Sequence, residues 1–538
     1  MVDCKLVVAG SMVGLALAVV AQAVSTGEYE VCDQVVRRGG VEGRPYWNSH
    51  AIMFMYPPAF DFKSIDGAVR YRFDVIDDIH DLHVFRASLP SADLSPIWTK
   101  LRVGYVTVRV IGEDASGRDI GLSGTKTFWK KAAFREGAYP KAKFGYADCA
   151  RLIYGYLFHD SDSQYLLKTG KIAENGSNRF PAKMLSQLVN AMIDYAKLAP
   201  STHAEAHKLA CNAADALLAI SEGQGSRYPF FPPTYNPTNY PLNREWWPKR
   251  RECMTIYPAS AASAYLRLYE TVGDDKYIEA AKGIAETYLG FQGNDGSWPL
   301  IVNFDEGPIG RNRVIPIEIA EMLEELFGIV GDCRYREAAD RAFRYIEKNL
   351  IESWNWEGQF EDTPVTMDYR NLTKHPACST AIYLLKRYPG DKEKLALARE
   401  LLRFAEDIFV NWEKPYDNGR RVPDKTKFTG YYNHFWKQDR WIMPSVFEQF
   451  GCYTPVDASA SKLIFTYIAL YRAEKNPLDL AKARALGDTV TRCTSNDGLE
   501  ATWWTEGELR SGIWPNCMSL AASALQELAN VEERRATK

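Results

Sequence analysis

From about Phe144 to the far end of the chain one phrase recurs, and it restricts the fold more than any other feature. Gly273-Asp274, Gly331-Asp332, Gly390-Asp391 and Asn476-Pro477 each precede a stretch whose apolar residues return at i, i+3, i+4 and i+7, the spacing of an amphipathic helix. After Asp274 these are Tyr277, Ala280, Ala281, Ile284, Ala285 and Tyr288; after Asp332 they are Tyr335, Ala338, Ala339, Ala342, Phe343 and Ile346. Between them lie helices of another kind, predicted at 257–271, 316–330, 376–388, 457–473 and 516–529, rich in small residues and apolar on most sides. A helix that is apolar nearly all round must be enclosed. Alternation of the two kinds therefore predicts two concentric layers. The repeat of about 60 residues exceeds that of common helical solenoids. With further helices at 143–159, 181–198 and 203–221, roughly twelve or thirteen are expected.

The first part of the chain has a different period. In GAVRYRFDV, Val69, Tyr71, Phe73 and Val75 alternate with polar residues, as do Val106, Val108 and Val110 in GYVTVRVIG. Turn signals at Asp66-Gly67, Ala115-Ser116-Gly117 and Leu122-Ser123-Gly124 separate these stretches. Residues 42–136 are thus expected to form an antiparallel β-sandwich, and the stretch resembles a fibronectin-III or immunoglobulin-like module. The helical part, 140–531, resembles the six-hairpin α/α toroid superfamily of carbohydrate-active enzymes, which includes glycoside hydrolases, polysaccharide lyases and uronate epimerases. The resemblance implies a mostly α fold, a sandwich followed by an (α/α)6-like toroid that carries the catalytic site. Residues 24–41 form an extension before the sandwich and 532–538 a tail.

Residues 1–23 read as a leader. Lys5 precedes an apolar run from Leu6 to Val20, and Ala21-Gln22-Ala23 is an A-x-A cleavage site. The alternative is an uncleaved anchor, since Asp3 sits in the leading segment. No other segment approaches the ~18 apolar residues of a membrane span, so an exported protein of the bacterial periplasm or cell surface is expected. Of the 10 Cys, none forms a CxxC pair, and Cys149, Cys211, Cys378 and Cys517 fall within apolar helical patterns. Neither a disulfide framework nor a metal or other cofactor site is expected. A formal net charge of -3 without a basic run disfavours a nucleic-acid partner.

The links between helices are unequal. Those from an enclosed helix to the next outer one are short, as at Val272–Asp274 and Val330–Asp332, whereas the return links are long: about 223–256, 290–315, 351–375, 410–456 and 494–515. In an alternating ring all links of one type emerge at one end, so the long loops share a face. Of 14 Trp residues, 11 fall in them. Aromatic faces stack on the C–H faces of sugars, so Trp247, Trp298, Trp356, Trp436, Trp441 and Trp504 are candidate substrate platforms. The alternative is that long loops need aromatic anchors.

Two chemistries fit the polar residues of these loops. Hydrolysis of a glycosidic bond needs one protonated and one ionised carboxyl group about 5–10 Å apart; Glu361, Asp362 and Asp439 are the candidates. Asp457 is either a further carboxylate for this role or, the preferred reading, a helix N-cap, and Asp274, Asp332 and Asp391 are caps or first-turn acids. β-Elimination or epimerisation of a uronic acid needs a base, an acid and cations for the carboxylate. Tyr431 and His434, with Arg311, Arg313 and Arg440, supply these residue types. Toroid lyases use similar residue types, and a β module before an α/α domain is similar to the glucuronyl C5-epimerase layout. The expected function is cleavage of an oligo- or polysaccharide, with hydrolysis ahead of elimination because carboxylates outnumber the lyase-type groups. A glycan-binding protein without catalysis is the remaining alternative.

Overall fold

A computed structural model describes residues 28–37, 46–173, 180–235, 251–361, 369–414, 440–449, 452–506 and 514–536. Thirteen α-helices lie among them: α1 (Tyr146–His159), α2 (Ser161–Thr169), α3 (Pro181–Leu198), α4 (His203–Ile220), α5 (Tyr257–Val272), α6 (Asp275–Phe291), α7 (Ile317–Val330), α8 (Cys333–Ile346), α9 (His375–Arg387), α10 (Lys392–Phe409), α11 (Asp457–Glu474), α12 (Pro477–Cys493) and α13 (Pro515–Ala536). The helix α13 runs to Ala536, past the boundary drawn at 531.

Six of them form a closed inner ring, each touching the next in the order α3, α5, α7, α9, α11, α13 and back to α3. Each inner helix pairs with an outer one: α3 with α4, α5 with α6, α7 with α8, α9 with α10, α11 with α12, and α13 with α1. The ring therefore closes by bringing the first helix against the last, where the Tyr154 hydroxyl meets Ser523 Oγ at 2.9 Å. Outer helices bury one stripe only; in α8 it is Tyr335, Ala338, Ala339, Ala342, Phe343 and Ile346, the set read from the sequence. Inner helices are buried on most sides, and their hydroxyls satisfy themselves locally: Ser461 donates to the Asp457 carbonyl and Thr466 to that of Lys462, both at 2.8 Å.

The recurring Gly-Asp step has two jobs. Gly273 and Gly331 end α5 and α7 in the left-handed region, at φ of 72° and 76°, where a side chain is strained. The next residues, Asp274 and Asp332, cap the outer helices by accepting from the backbone N–H of Lys276 and Arg334. Asp391 does the same for α10. Asp457 differs from expectation: Val456 occupies the N-cap, and Asp457 is a fully buried first-turn residue.

The second sheet of the expected sandwich is not found among the described residues of the N-terminal region, which form one five-stranded sheet. Its strands are β1 (Met53–Phe54), β2 (Arg70–Ile76), β3 (Leu82–Ala87), β4 (Gly104–Glu113) and β5 (Asp119–Lys130), in the order β1-β5-β4-β2-β3, antiparallel except where β1 joins β5. Alternation specifies one buried face, here Tyr71, Phe73, Val75, Val106, Val108, Val110 and Phe128. It does not specify what covers that face. The cover comes from short segments: Phe54 of β1, Phe60 in coil and Trp98 in a single 3-10 turn surround Phe128 with ring centroids 5.4, 5.6 and 6.1 Å away.

This sheet is fastened to the ring through α10. Asp407 Oδ1 accepts from the backbone N–H of Met55 and Tyr56, at 2.7 and 2.8 Å. Lys131 Nζ donates to the Val410 carbonyl at 2.6 Å. The Tyr56 hydroxyl donates to Glu406, which is also held by Lys482 and Tyr467, both at 2.6 Å.

The long links do gather at one end, that of the inner-helix N-termini. Three of them contribute strands to two small sheets: β6 (Glu252–Met254), β7 (Pro299–Asn303) and β8 (Gly307–Arg313), and β9 (Val410–Asn411), β10 (Ser445–Gln449) and β11 (Cys452–Pro455).

Candidate active site

A cavity of about 420 Å³ opens at that end, and all six inner helices contribute their first turns to it. Lys183 and Gln187 come from α3, Tyr257 and Ser260 from α5, and Glu318 and Glu321 from α7. From α9 come His375 and Ser379, from α11 Ser459 and Lys462, and from α13 Asn516 and Cys517. Gln359, Phe360, Glu361, Glu448, Trp503 and Trp514 complete the wall from the long loops. Helix N-termini carry partial positive charge, so six of them converge on one space.

The carboxyl groups are held in different protonation states. Glu361 is buried and accepts an ion pair from Lys183 Nζ at 2.7 Å and a hydrogen bond from the Tyr257 hydroxyl. Burial works against its ionisation, but the Lys183 charge and the two hydrogen bonds outweigh it and hold this carboxyl below the usual range. Glu321 has no such support. Burial pushes it up to about 8, and the nearby Lys462 charge offsets only part of that. Burial also raises Glu318.

Across from α7, His375 Nε2 lies 3.6 Å from Glu318 Oε1. Burial, and then the charges of Lys462, Lys374 and Lys183, lower the imidazole well below its usual value, so it is neutral at pH 7. Lys374 Nζ donates to the Glu448 carbonyl at 2.6 Å and to Ser459 Oγ. Lys462 Nζ donates to Ser379 Oγ at 3.1 Å.

Behind Cys517, Asp457 and Glu500 form a second carboxyl pair, both fully buried. Trp504 Nε1 donates to Glu500 Oε1 at 2.9 Å, and the Ala458 N–H donates to Asp457 Oδ1 at 2.6 Å. Burial raises both acids, Asp457 to about 7 and Glu500 further, with Asp457 as a second cause. Among the described residues no group of three His, Cys, Asp or Glu side chains is arranged to hold a metal ion.

Of the residues singled out in the sequence, Glu361 lines this cavity. Asp362, Tyr431, His434, Asp439, Trp247 and Trp436 lie outside the described residues. The other tryptophans require a correction. Trp298, Trp356, Trp441 and Trp504 are fully buried and present no ring face to a ligand. They anchor loops: Trp298 Nε1 donates to the Tyr288 carbonyl at 2.8 Å, and Trp441 packs edge-on against Phe447 at 4.9 Å. The aromatic faces at the cavity are Trp503, Trp514, Phe360 and Tyr257 instead. None of the three arginines lines it. Arg313 binds Ser297 within the β7–β8 region, Arg440 donates to the Glu506 carbonyl, and Arg311 is exposed on β8.

Glu318, Glu321 and Lys462 were missed because they sit on helices and not on loops, and His375, the last residue of the 351–375 link, was not singled out as a site residue. A signal for them exists. Each is a charged or titratable residue in the first two turns of an inner helix that is otherwise small and apolar.

No protein-family model and no curated protein sequence matches the chain. Among solved structures it is similar to a family 76 glycoside hydrolase from a bovine Bacteroides thetaiotaomicron strain, at 11% identity and a TM-score of 0.46, over 86% of this chain and 93% of that one. It is also similar to cellobiose 2-epimerase from Spirochaeta thermophila, at 12% identity and a TM-score of 0.48, over 72% and 98%. A third is an unsaturated glucuronyl hydrolase specific for heparin, at 11% identity and a TM-score of 0.45, over 72% and 98%.

Proposed function

We propose that the chain is a carbohydrate-active enzyme, a glycoside hydrolase that works in the cavity at the inner-helix N-termini. One observation carries this reading: Glu321 and Glu361 line the same cavity with their ionisation pushed in opposite directions. Hydrolysis of a glycosidic bond needs a carboxylic acid to protonate the leaving oxygen and a carboxylate to activate water or attack the sugar. Glu321 keeps its proton at neutral pH and serves as the acid. Glu361 is ionised there and serves as the carboxylate, oriented by Lys183 and Tyr257. Trp503, Trp514 and Phe360 offer the apolar surface on which sugar rings stack. Asp362, Asp439, Tyr431 and His434, which lie outside the described residues, stay in the proposal as candidates from the sequence.

A second reading rests on His375. A neutral imidazole 3.6 Å from a carboxyl group is suited to remove a proton from carbon, the first step of elimination or epimerisation at a uronic acid. The leader read in residues 1–23 makes the enzyme an exported one, of the periplasm or cell surface.

The test is incubation with neutral and acidic glycans, following reducing ends, absorbance near 235 nm and deuterium uptake from solvent. New reducing ends alone support hydrolysis. Absorbance with new ends supports elimination, and deuterium uptake without either supports epimerisation. Binding without any change would reduce the protein to a glycan-binding one.

A further inference from the structure

The cavity is lined by three lysines whose situations differ. Lys183 is engaged by the Glu361 carboxylate at 2.7 Å, and its ammonium also lies 5.3 Å from the Trp514 ring centre. Lys374 is almost wholly buried and donates to a backbone carbonyl and a serine hydroxyl that fix α9 against α11 and β10. Lys462 is only half-buried. Its hydrogen-bond partner among the described residues is a single neutral hydroxyl, Ser379 Oγ at 3.1 Å. An ammonium has three N–H donors, so two are left for the cavity.

Around Lys462 the acids are weak counter-charges. Glu318 and Glu321 are the carboxyls whose charge it influences, yet among the described residues neither lies at ion-pair distance from it, and burial favours the protonated form of both. The neighbouring imidazole of His375 is neutral. Ser379 and Ser459 line the same cavity in the first two turns of α9 and α11, whose N-terminal ends carry partial positive charge, and the ionised Glu361 there is already paired with Lys183. Removing a cation from water without a partner is costly, and a ligand anion would complete this arrangement as a charge-assisted hydrogen bond.

Resting on the reading of this cavity as a sugar site, we propose that its substrate is an acidic sugar, whose anionic group, a uronate carboxylate or a sulfate ester, is received by Lys462. Aromatic faces of Trp503 and Trp514 then take the ring, while Glu321 and Glu361 act on the glycosidic bond. Lys462 determines specificity in this arrangement.

The experiment compares matched ligands on the full-length protein. Oligogalacturonate, oligoglucuronate and oligomannuronate are each paired with their carboxyl-reduced, neutral counterparts, and a sulfated galactan is paired with its desulfated form. Binding is read by calorimetry and turnover by kcat/KM. At least one acidic ligand is expected to exceed its neutral partner by 10-fold or more, and which pair responds separates carboxylate from sulfate. In Lys462→Met that ratio is expected to collapse towards one, mainly through KM, and in Lys462→Arg to be largely retained, with melting temperatures confirming both folds. Neutral members bound as well as acidic ones by the wild type would overturn the assignment while leaving the sugar reading intact. So would equal losses on both members of a pair in Lys462→Met. If no glycan of either kind binds, the sugar reading falls and this assignment with it.

Discussion

Lys183, in the first turn of α3, holds the Glu361 carboxylate at 2.7 Å, so a residue delivered by a long loop is fixed by the inner ring. The pair joins the two parts of the site. Whatever approaches Glu361 meets a carboxylate already held by Lys183 and Tyr257, which line the same cavity.

Lys183→Met is expected to damage both stability and catalysis. It leaves a buried carboxylate without its cation, at a cost of about 3–5 kcal/mol by analogy with other broken buried pairs. Because Glu361 is lowered in the folded protein, the stability it contributes is present above the unfolded value and is lost as pH falls through the folded one. Denaturant titrations at pH 4 and pH 7 check this: the wild type loses stability on acidification, and Lys183→Met loses less.

Glu321 sets the alkaline side. Its carboxyl, raised by burial to about 8, must be protonated to act as an acid, so kcat/KM is expected to fall as pH rises through about 8. Glu321→Gln should lower kcat by roughly 100- to 10,000-fold and remove that limb from the residual activity. The sign for stability follows from the same shift: a raised carboxyl contributes fully below its unfolded value and loses that contribution as pH rises through 8.

The tryptophans separate into two classes. Replacing Trp298, Trp356, Trp441 or Trp504 by Ala is expected to cost about 3–5 kcal/mol of stability, because each is fully buried. Trp503→Ala and Trp514→Ala should instead weaken ligand binding by about 10-fold, the scale of a lost aromatic contact. Thermal denaturation and calorimetric binding on the same six variants decide the matter.

The helices were legible in the sequence because their period is short and their caps are local. The inner–outer alternation, the Gly-Asp steps and the unequal links all survive in the structure, and together they locate the working face. The sandwich was less legible, since the residues that cover the sheet, Phe54, Phe60 and Trp98, lie in a two-residue strand, a coil and a single 3-10 turn, too short for any period to announce them. The site was read only in part for a related reason. Tryptophan concentration marks where loops are long, but a loop ring that buries itself and one that faces a ligand look alike in sequence. Glu318, Glu321, His375 and Lys462 become neighbours only when the ring closes α7 on α9 and α9 on α11.

Asp457 and Glu500 give a further pH effect behind the cavity. Both carboxyls are raised, Asp457 to about 7, so the folded state keeps protons that the unfolded chain releases. Stability is fully present below pH 4 for this pair and is lost as pH rises through 7, by an amount on the order of a few kcal/mol. Glu500→Gln removes the second charge. Its melting temperature is expected to exceed that of the wild type at pH 8.5 and to lie near it or below at pH 5.

Opposed protonation of Glu321 and Glu361 is most directly tested by the pH dependence of glycan cleavage in wild type and the two glutamine variants. Bell-shaped kcat/KM is expected, with the alkaline limb near 8 absent from the residual activity of Glu321→Gln and the acidic limb absent from that of Glu361→Gln. A wild-type profile flat from pH 6 to pH 9, or full activity in either variant, would contradict it.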